Sequence, residues 1–157
     1  MTYEEVLENA KKTMAPKCKV CPECNGIACK GQVPGAGGVK SGRAFTVCRD
    51  FLKSVYVNMD TIHEEKEIDT SIEFLGHKFD VPFFIAPIGG MAFNYTNYLD
   101  ESEYSKAVVF GARACNTLAF TGDGPDDSFF SATLPIIKEA DGIAISTIKP
   151  WEYDKVM

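Results

Sequence analysis

Residues 69–90 read Asp69-Thr-Ser-Ile-Glu-Phe-Leu-Gly-His-Lys-Phe-Asp-Val-Pro-Phe-Phe-Ile-Ala-Pro-Ile-Gly-Gly90, and this stretch decides the fold. Val81 to Ile85 is an almost unbroken apolar run, which suits a strand covered on both faces better than the alternation of a half-wet sheet. Pro87 ends such a strand by removing an N–H, and Gly89 and Gly90 carry no Cβ, so a flat ring system could lie on the main chain there. An ordinary core strand closed by a Pro-Gly loop explains the same residues. Just upstream, Ile72, Phe74 and Phe79 flank Gly76-His77, a short hairpin suited to closing the bottom of a barrel.

Outward from this strand the pattern alternates. Asp100-x-x-Glu103 is a capping box opening a helix near 101–115, with Tyr104, Ala107, Val108, Gly111, Ala112 and Cys115 as its apolar stripe. A strand over 117–121 follows, then a helix near 126–140 that Pro135 is expected to split, a strand over 142–147, and the start of another helix. Upstream, Thr2-Tyr3-Glu4-Glu5 caps a helix carrying Val6, Ala10 and Met14 on one face, and Ala44 to Val55 repeats apolar residues at helical spacing, as for a helix packing a leader onto a barrel. Cys48 and Cys115 fall on apolar faces and read as core.

Asp69-Thr70-Ser71, Gly76, Val81-Pro82 and Ile85-Ala86-Pro87-Ile88-Gly89 closely resemble the opening of the flavin-dependent α-hydroxy-acid oxidase and dehydrogenase family, to which glycolate and lactate oxidases belong. The likeness runs in order through Val57-Asn58-Met59-Asp60-Thr61, Thr117 to Gly124 and Gly142 to Thr147, about two thirds of the chain. It implies a TIM barrel with FMN at the C-terminal ends of its strands. By that resemblance Ala86, Pro87, Ile88 and Gly89 meet the isoalloxazine edge near N5 through their backbone. Thr121 aligns with a hydroxyl residue that contacts flavin, with Gly122 beside it, and Thr147 and Lys149 lie at polar flavin and substrate contacts. Lys149 reads equally as a solvated residue at a helix start.

A (β/α)8 barrel takes about 250 residues, whereas this chain has 157, eighty of them ahead of the first barrel strand. The expected architecture is therefore α/β: about three βα units from the N-terminal part of a TIM barrel (57–157) preceded by a helical, cysteine-rich leader (1–56). The histidine that takes the substrate proton, the arginine that clamps its carboxylate and the loops that hold the flavin phosphate, as the family implies them, would lie beyond Met157. His63 and His77 precede the barrel and no catalytic residue is assigned. The type-2 isopentenyl diphosphate isomerase shares this fold and flavin without net oxidation, so the resemblance leaves the reaction class open.

The leader holds Cys18, Cys21, Cys24 and Cys29 at spacing C-x2-C-x2-C-x4-C. A cytoplasmic setting disfavours disulfides. Four thiols this close suit tetrahedral zinc, or an iron–sulfur cluster, whose bacterial ferredoxin pattern the first three match, or they are reduced structural cysteines. Glycolate oxidase has no such leader, and the chain looks like a cysteine-leadered bacterial branch of the family. Without the flavin, the leader alone would read as a small metal-binding electron-transfer module. Gly31 to Gly38 is too glycine-rich for regular structure; it resembles a phosphate loop, but its flanks are wrong for one. No tyrosine stands between Cys29 and Phe51, where family members carry one that touches substrate. With 45% apolar residues, a net charge of −6 and no secretory or membrane-spanning run, the composition points to the cytoplasm. The family resemblance implies a small hydroxy-acid substrate and a homo-oligomer when full length, while the acidic balance argues against nucleic acid and no apolar run is long enough to span a bilayer.

Overall fold

The computed structural model describes residues 1–32, 36–150 and 152–156. They form two compact units, Met1–Glu67 with Ala92–Tyr98, and Ile68–Met91 with Leu99–Met157.

In the first unit, α1 (Tyr3–Met14) opens on the expected capping box: Glu5 N–H donates to Thr2 Oγ1 at 3.3 Å and Thr2 N–H to Glu5 Oε2 at 2.7 Å. Its inner face is Leu7, Ala10 and Met14, while Val6 is exposed. Thr96 Oγ1 donates to Thr13 O at 2.8 Å, and Lys17 Nζ reaches Ala92 O and Asn97 Oδ1, tying residues 92–97 to this helix. The second helix, α2, spans Arg43–Lys53. Phe45 is half-buried, but Cys48, Phe51, Leu52 and Val55 are exposed, so the apolar spacing at 44–55 foretold the helix and not the burial of its face. Of the Gly31–Gly38 loop, 33–35 lie outside the described residues; Gly31 N–H closes it on Gly38 O at 2.9 Å.

The second unit begins with a hairpin of β1 (Ile72–Phe74) and β2 (His77–Phe79), in register Ile72 to Phe79 and Phe74 to His77. Its turn is Leu75-Gly76, with φ of 51° and 78°, the two positive values of a type I′ turn. The turn therefore sits one residue earlier than Gly76-His77, and His77 is the first residue of β2. Phe74 packs tilted and Phe79 edge-on against Phe84, with centroids 5.1 and 5.4 Å away.

The βα alternation follows. Ile85 bridges Ala119 in parallel, and β3 (Phe120–Thr121) pairs in parallel with β4 (Ile145–Ser146). Between them run α3 (Glu101–Ala114) and α4 (Ser128–Glu139); α5 (Tyr153–Val156) comes last. The core is Val109, Ala112, Ala119, Ile136 and Ala140, joined by Ile85 and Ala144. Each fully buried aliphatic side chain of Val or Ile size contributes about 1.5–3 kcal/mol.

The expected fully covered strand over 81–85 is not formed. Only Ile85 pairs, and Phe83 is 67% exposed. Pro82 and Pro87 each withdraw a donor from the ladder, and Phe83 O is occupied by the Thr117 hydroxyl at 2.6 Å instead of a strand N–H. The strands expected over 117–121 and 142–147 are likewise shorter, although Thr147 N–H continues the second ladder onto Thr121 O at 3.2 Å.

Capping box Asp100–Glu103 opens α3 as expected, but the buried stripe is Ser105, Val109 and Ala112. Ala107, Gly111 and Cys115 are exposed, so neither Cys48 nor Cys115 is a core residue. Pro135 does not split α4. A proline forfeits one i−4 hydrogen bond, and here Thr133 and Ile136 of the same helix are buried, while the Thr133 hydroxyl donates to Phe130 O at 3.0 Å. Both helices leave through left-handed residues that turn the chain back into the sheet: Asn116 (φ 45°), and Asp141 with Gly142 (φ 58° and 77°). Thr117 N–H then bonds Ala112 O at 3.0 Å, and Gly142 N–H bonds Ile137 O at 2.9 Å.

Candidate functional site

Because Ile85, β3 and β4 are mutually parallel, the segments that follow them, 86–90, 122–124 and 147–149, emerge at one end of the sheet. The sequence-predicted positions Ala86, Pro87, Ile88, Gly89, Thr121, Gly122, Thr147 and Lys149 are thereby brought together at the carboxyl ends of the strands. Barrel enzymes carry their chemistry at this end.

Their environments differ. Ala86, Pro87 and Lys149 are exposed, Ile88, Gly89 and Thr147 half-buried, and Thr121 and Gly122 buried. Thr121 Oγ1 turns toward Ser146 Oγ, 3.4 Å away, so it ties two strands and is 3% exposed. Gly89 and Gly122 lack side chains for a reason the sequence does not display. A Cβ on Gly122 would stand 2.3 Å from Gly89 N and from Ile88 C and O, and one on Gly89 would meet Asp123 O at 2.8 Å. The two glycines let the first and second loops lie main chain on main chain. The exposed residues of the first loop are Ala86 and Pro87.

Two carboxylates missed by sequence reasoning complete the arrangement. Glu101, first residue of α3, accepts from Gly90 N–H at 3.0 Å and Met91 N–H at 3.1 Å through one oxygen, while its Oε1, beside Gly89, is buried without a hydrogen-bond partner among the described residues. Asp123 accepts from Gly124 N–H at 2.7 Å and from Lys149 N–H at 2.6 Å, joining the second loop to the third. An acidic residue at a helix start reads as a cap or dipole partner, which hid Glu101. The sequence Thr-Gly-Asp-Gly at 121–124 was the available signal for Asp123. The result is a platform of three cross-tied loops, with exposed main chain at 86–87 and a lysine at the rim. That donor set suits a flat ligand bearing negative charge, the lysine supplying a cation.

His77 stands at the other end of the strands. With Phe74, Phe79, Leu118 and Ile143 it lines a cavity of about 120 Å³. The hairpin thus closes the amino-terminal end of the sheet, held there by Asp80 N–H to Asn116 O at 3.0 Å and Asn116 Nδ2 to Asp80 Oδ1 at 2.7 Å. His63 lies in an exposed segment without regular structure.

The cysteine loop belongs to the first unit. All six cysteines are free thiols; Cys29 is buried, Cys18 and Cys21 half-buried and Cys24 exposed. Burial pushes the Cys29 thiol above its usual range, with the charges of Cys18, Cys24 and Cys21 acting in the same direction. Among the described residues no three Cys, His, Asp or Glu side chains form a group that could hold a metal ion, so neither the zinc site nor the iron–sulfur site expected of these cysteines is preassembled. Among the described residues, no helix is long and apolar enough to cross a membrane.

Comparison with known proteins finds no match among curated sequences and none among solved structures. The family model for FMN-dependent dehydrogenase matches residues 35–119, more than half of the chain, and ends at Ala119, where the first two parallel segments pair. That family is a TIM-barrel family of flavin oxidoreductases, and the parallel βα arrangement with its loops gathered at one end is what such a barrel is built from. The chain belongs to the FMN-dependent dehydrogenase family.

Proposed function

We propose that the three cross-tied loops form part of the FMN seat of an α-hydroxy-acid dehydrogenase or oxidase, within the opening βα units of a TIM barrel. The observation that carries this reading is the gathering of 86–90, 122–124 and 147–149 at the carboxyl end of parallel strands. When bound, the flavin supplies the capacity to take a hydride equivalent from the α-carbon of the substrate. Ala86 and Pro87 offer exposed main chain against the ring, Gly89 and Gly122 keep the first two loops in contact, and Thr147 is a half-buried hydroxyl at the third. Lys149, its backbone fixed by Asp123, sets a cation where negative charge on ring or substrate would be stabilised.

Neither histidine stands at this end, so no residue of this chain is assigned as the proton-abstracting base. In this reading the base and the carboxylate clamp come from residues outside it. The test has two steps. Titrating FMN with the chain should quench flavin fluorescence saturably, with affinity reduced several-fold in Lys149→Ala; absence of saturable binding refutes the flavin seat. Glycolate or L-lactate added anaerobically should leave the flavin oxidised on this chain and bleach it on a protein carrying the complete barrel. A complete barrel that binds FMN and is not bleached by any 2-hydroxy acid refutes the substrate class and favours the flavin-dependent isomerase chemistry of the same fold.

A further inference from the structure

We propose that Cys18, Cys21, Cys24 and Cys29 are the ligands of a polynuclear iron–sulfur cluster held by the first unit. The inference concerns this loop alone and stands whether or not flavin binds at the strand ends.

Three features of the loop support it. First, Val20 N–H donates to Cys18 Sγ at 3.3 Å. Main-chain N–H groups aimed at cysteinyl sulfur favour the thiolate and tune cluster potentials. The bond is made with Val20 at φ 45°, a left-handed conformation rare for a β-branched residue. Second, the loop is clamped from outside. The Phe45 ring lies where a Cβ on Gly26 would be, 2.4 Å from it, and Arg49 and Lys53 of α2 both engage Glu23. Third, Gly37 packs against Cys29, a Cβ there falling 2.6 Å from Cys29 C and Sγ. The fourth thiol is thereby covered, and the other three stand toward the surface.

The local charge suits a four-thiolate centre, and the spacing favours iron–sulfur over zinc. Between 15 and 32 the chain carries Lys17, Lys19 and Lys30 against the single acid Glu23, a local positive excess that offsets the net negative charge of a four-thiolate centre. C-x2-C-x2-C is the run that bacterial ferredoxins use, and Cys29 stands one residue beyond the fourth position of that run.

The 157-residue chain reconstituted anaerobically with ferric iron, sulfide and a thiol reductant that reduces part of the iron should gain broad visible absorption and about four iron and four sulfide per chain. Cys18→Ser, Cys21→Ser, Cys24→Ser and Cys29→Ser should each lose at least half of both. Cys48→Ser and Cys115→Ser should lose none. Far-UV circular dichroism of each apo variant, matching the parent apo chain, separates ligand loss from misfolding; for any variant that differs, the matching alanine replacement is read instead. The proposal is overturned if no cluster forms, if iron is held equally by the loop variants, or if zinc binds one-to-one through these thiols while iron and sulfide are not retained.

Discussion

Gly122→Ala tests the loop platform directly. The added methyl carbon would stand 2.3 Å from Gly89 N, Ile88 C and Ile88 O, more than 1 Å inside ordinary contact at about 3.4 Å, and all three atoms are backbone. No side chain can swing away, so the first and second loops must separate. Overpacking of this kind typically costs about 1–3 kcal/mol, and with no rotamer to relax we expect the top of that range, about 3 kcal/mol. For a domain of ordinary stability, about 5–15 kcal/mol, that is a large fraction. With a urea slope of about 2 kcal/mol/M the unfolding midpoint should fall by about 1.5 M.

Gly111→Ala is the matched control. Gly111 is exposed on α3 and a Cβ there meets nothing within 4 Å. Replacing glycine inside a helix gains about 0.5–1 kcal/mol, which raises the midpoint by about 0.3–0.5 M. Urea unfolding followed by far-UV circular dichroism, to which α1, α2, α3 and α4 all contribute, reads both on one scale. A Gly122→Ala midpoint equal to or above that of the parent would refute the claim that main-chain contact between the loops is why these positions are glycine.

The remaining predictions concern single polar groups. Glu101→Ala should lower stability by about 2–4 kcal/mol, since it strands the N–H groups of the buried Gly90 and Met91; Glu101→Gln, keeping an acceptor oxygen, should recover most of it in the same urea assay. Asp123→Asn keeps one oxygen for two N–H donors and should speed amide hydrogen exchange at Gly124 or Lys149 at least ten-fold, and unchanged exchange at both would refute the bridge. Ser105→Ala should raise stability by about 1 kcal/mol, because the Ser105 hydroxyl is buried without a hydrogen-bond partner among the described residues. The Ser71 hydroxyl and N–H hold the Asp69 carboxyl below its usual value, so its contribution is present above the unfolded-state pKa and is lost as pH falls through the folded one. An NMR titration should find that midpoint low and moved upward in Ser71→Ala.

Local signals carried well from sequence to structure where one short-range interaction decides the outcome. The capping boxes at Thr2–Glu5 and Asp100–Glu103 opened α1 and α3 at the residues that the spacing named. What failed was any inference needing the identity of the neighbour. Ser105 is 2% exposed yet polar, so an apolar stripe drawn through α3 lands one position to the side and takes in Ala107 and Cys115. The hairpin turn slipped by one because Gly76 announces a positive φ, while Leu75, which also adopts one, gives no sign of it. Gly89 looked like room for a ring, and that room is filled by the main chain of the next loop, which no reading of residues 81–90 alone could reveal.

That substitution of neighbour for ligand changes how the candidate site is held. Each of the ties that hold the three loops has a main-chain group on at least one side: Gly122 on Ile88 and Gly89, Glu101 of α3 on Gly90 and Met91, Asp123 on Lys149, Thr147 N–H on Thr121 O. Such ties fix where the loops run without fixing which side chains they present. Exposed Ala86, Pro87 and Lys149 can therefore be exchanged at little cost to stability, whereas Gly122, Glu101 and Asp123 cannot. The separation gives mutagenesis a clean axis, since Lys149→Ala should move ligand affinity and leave the urea midpoint alone, and Glu101→Ala should move the midpoint first. If both variants shifted both quantities equally, the loops would not be a preformed platform but would be ordered by the ligand itself.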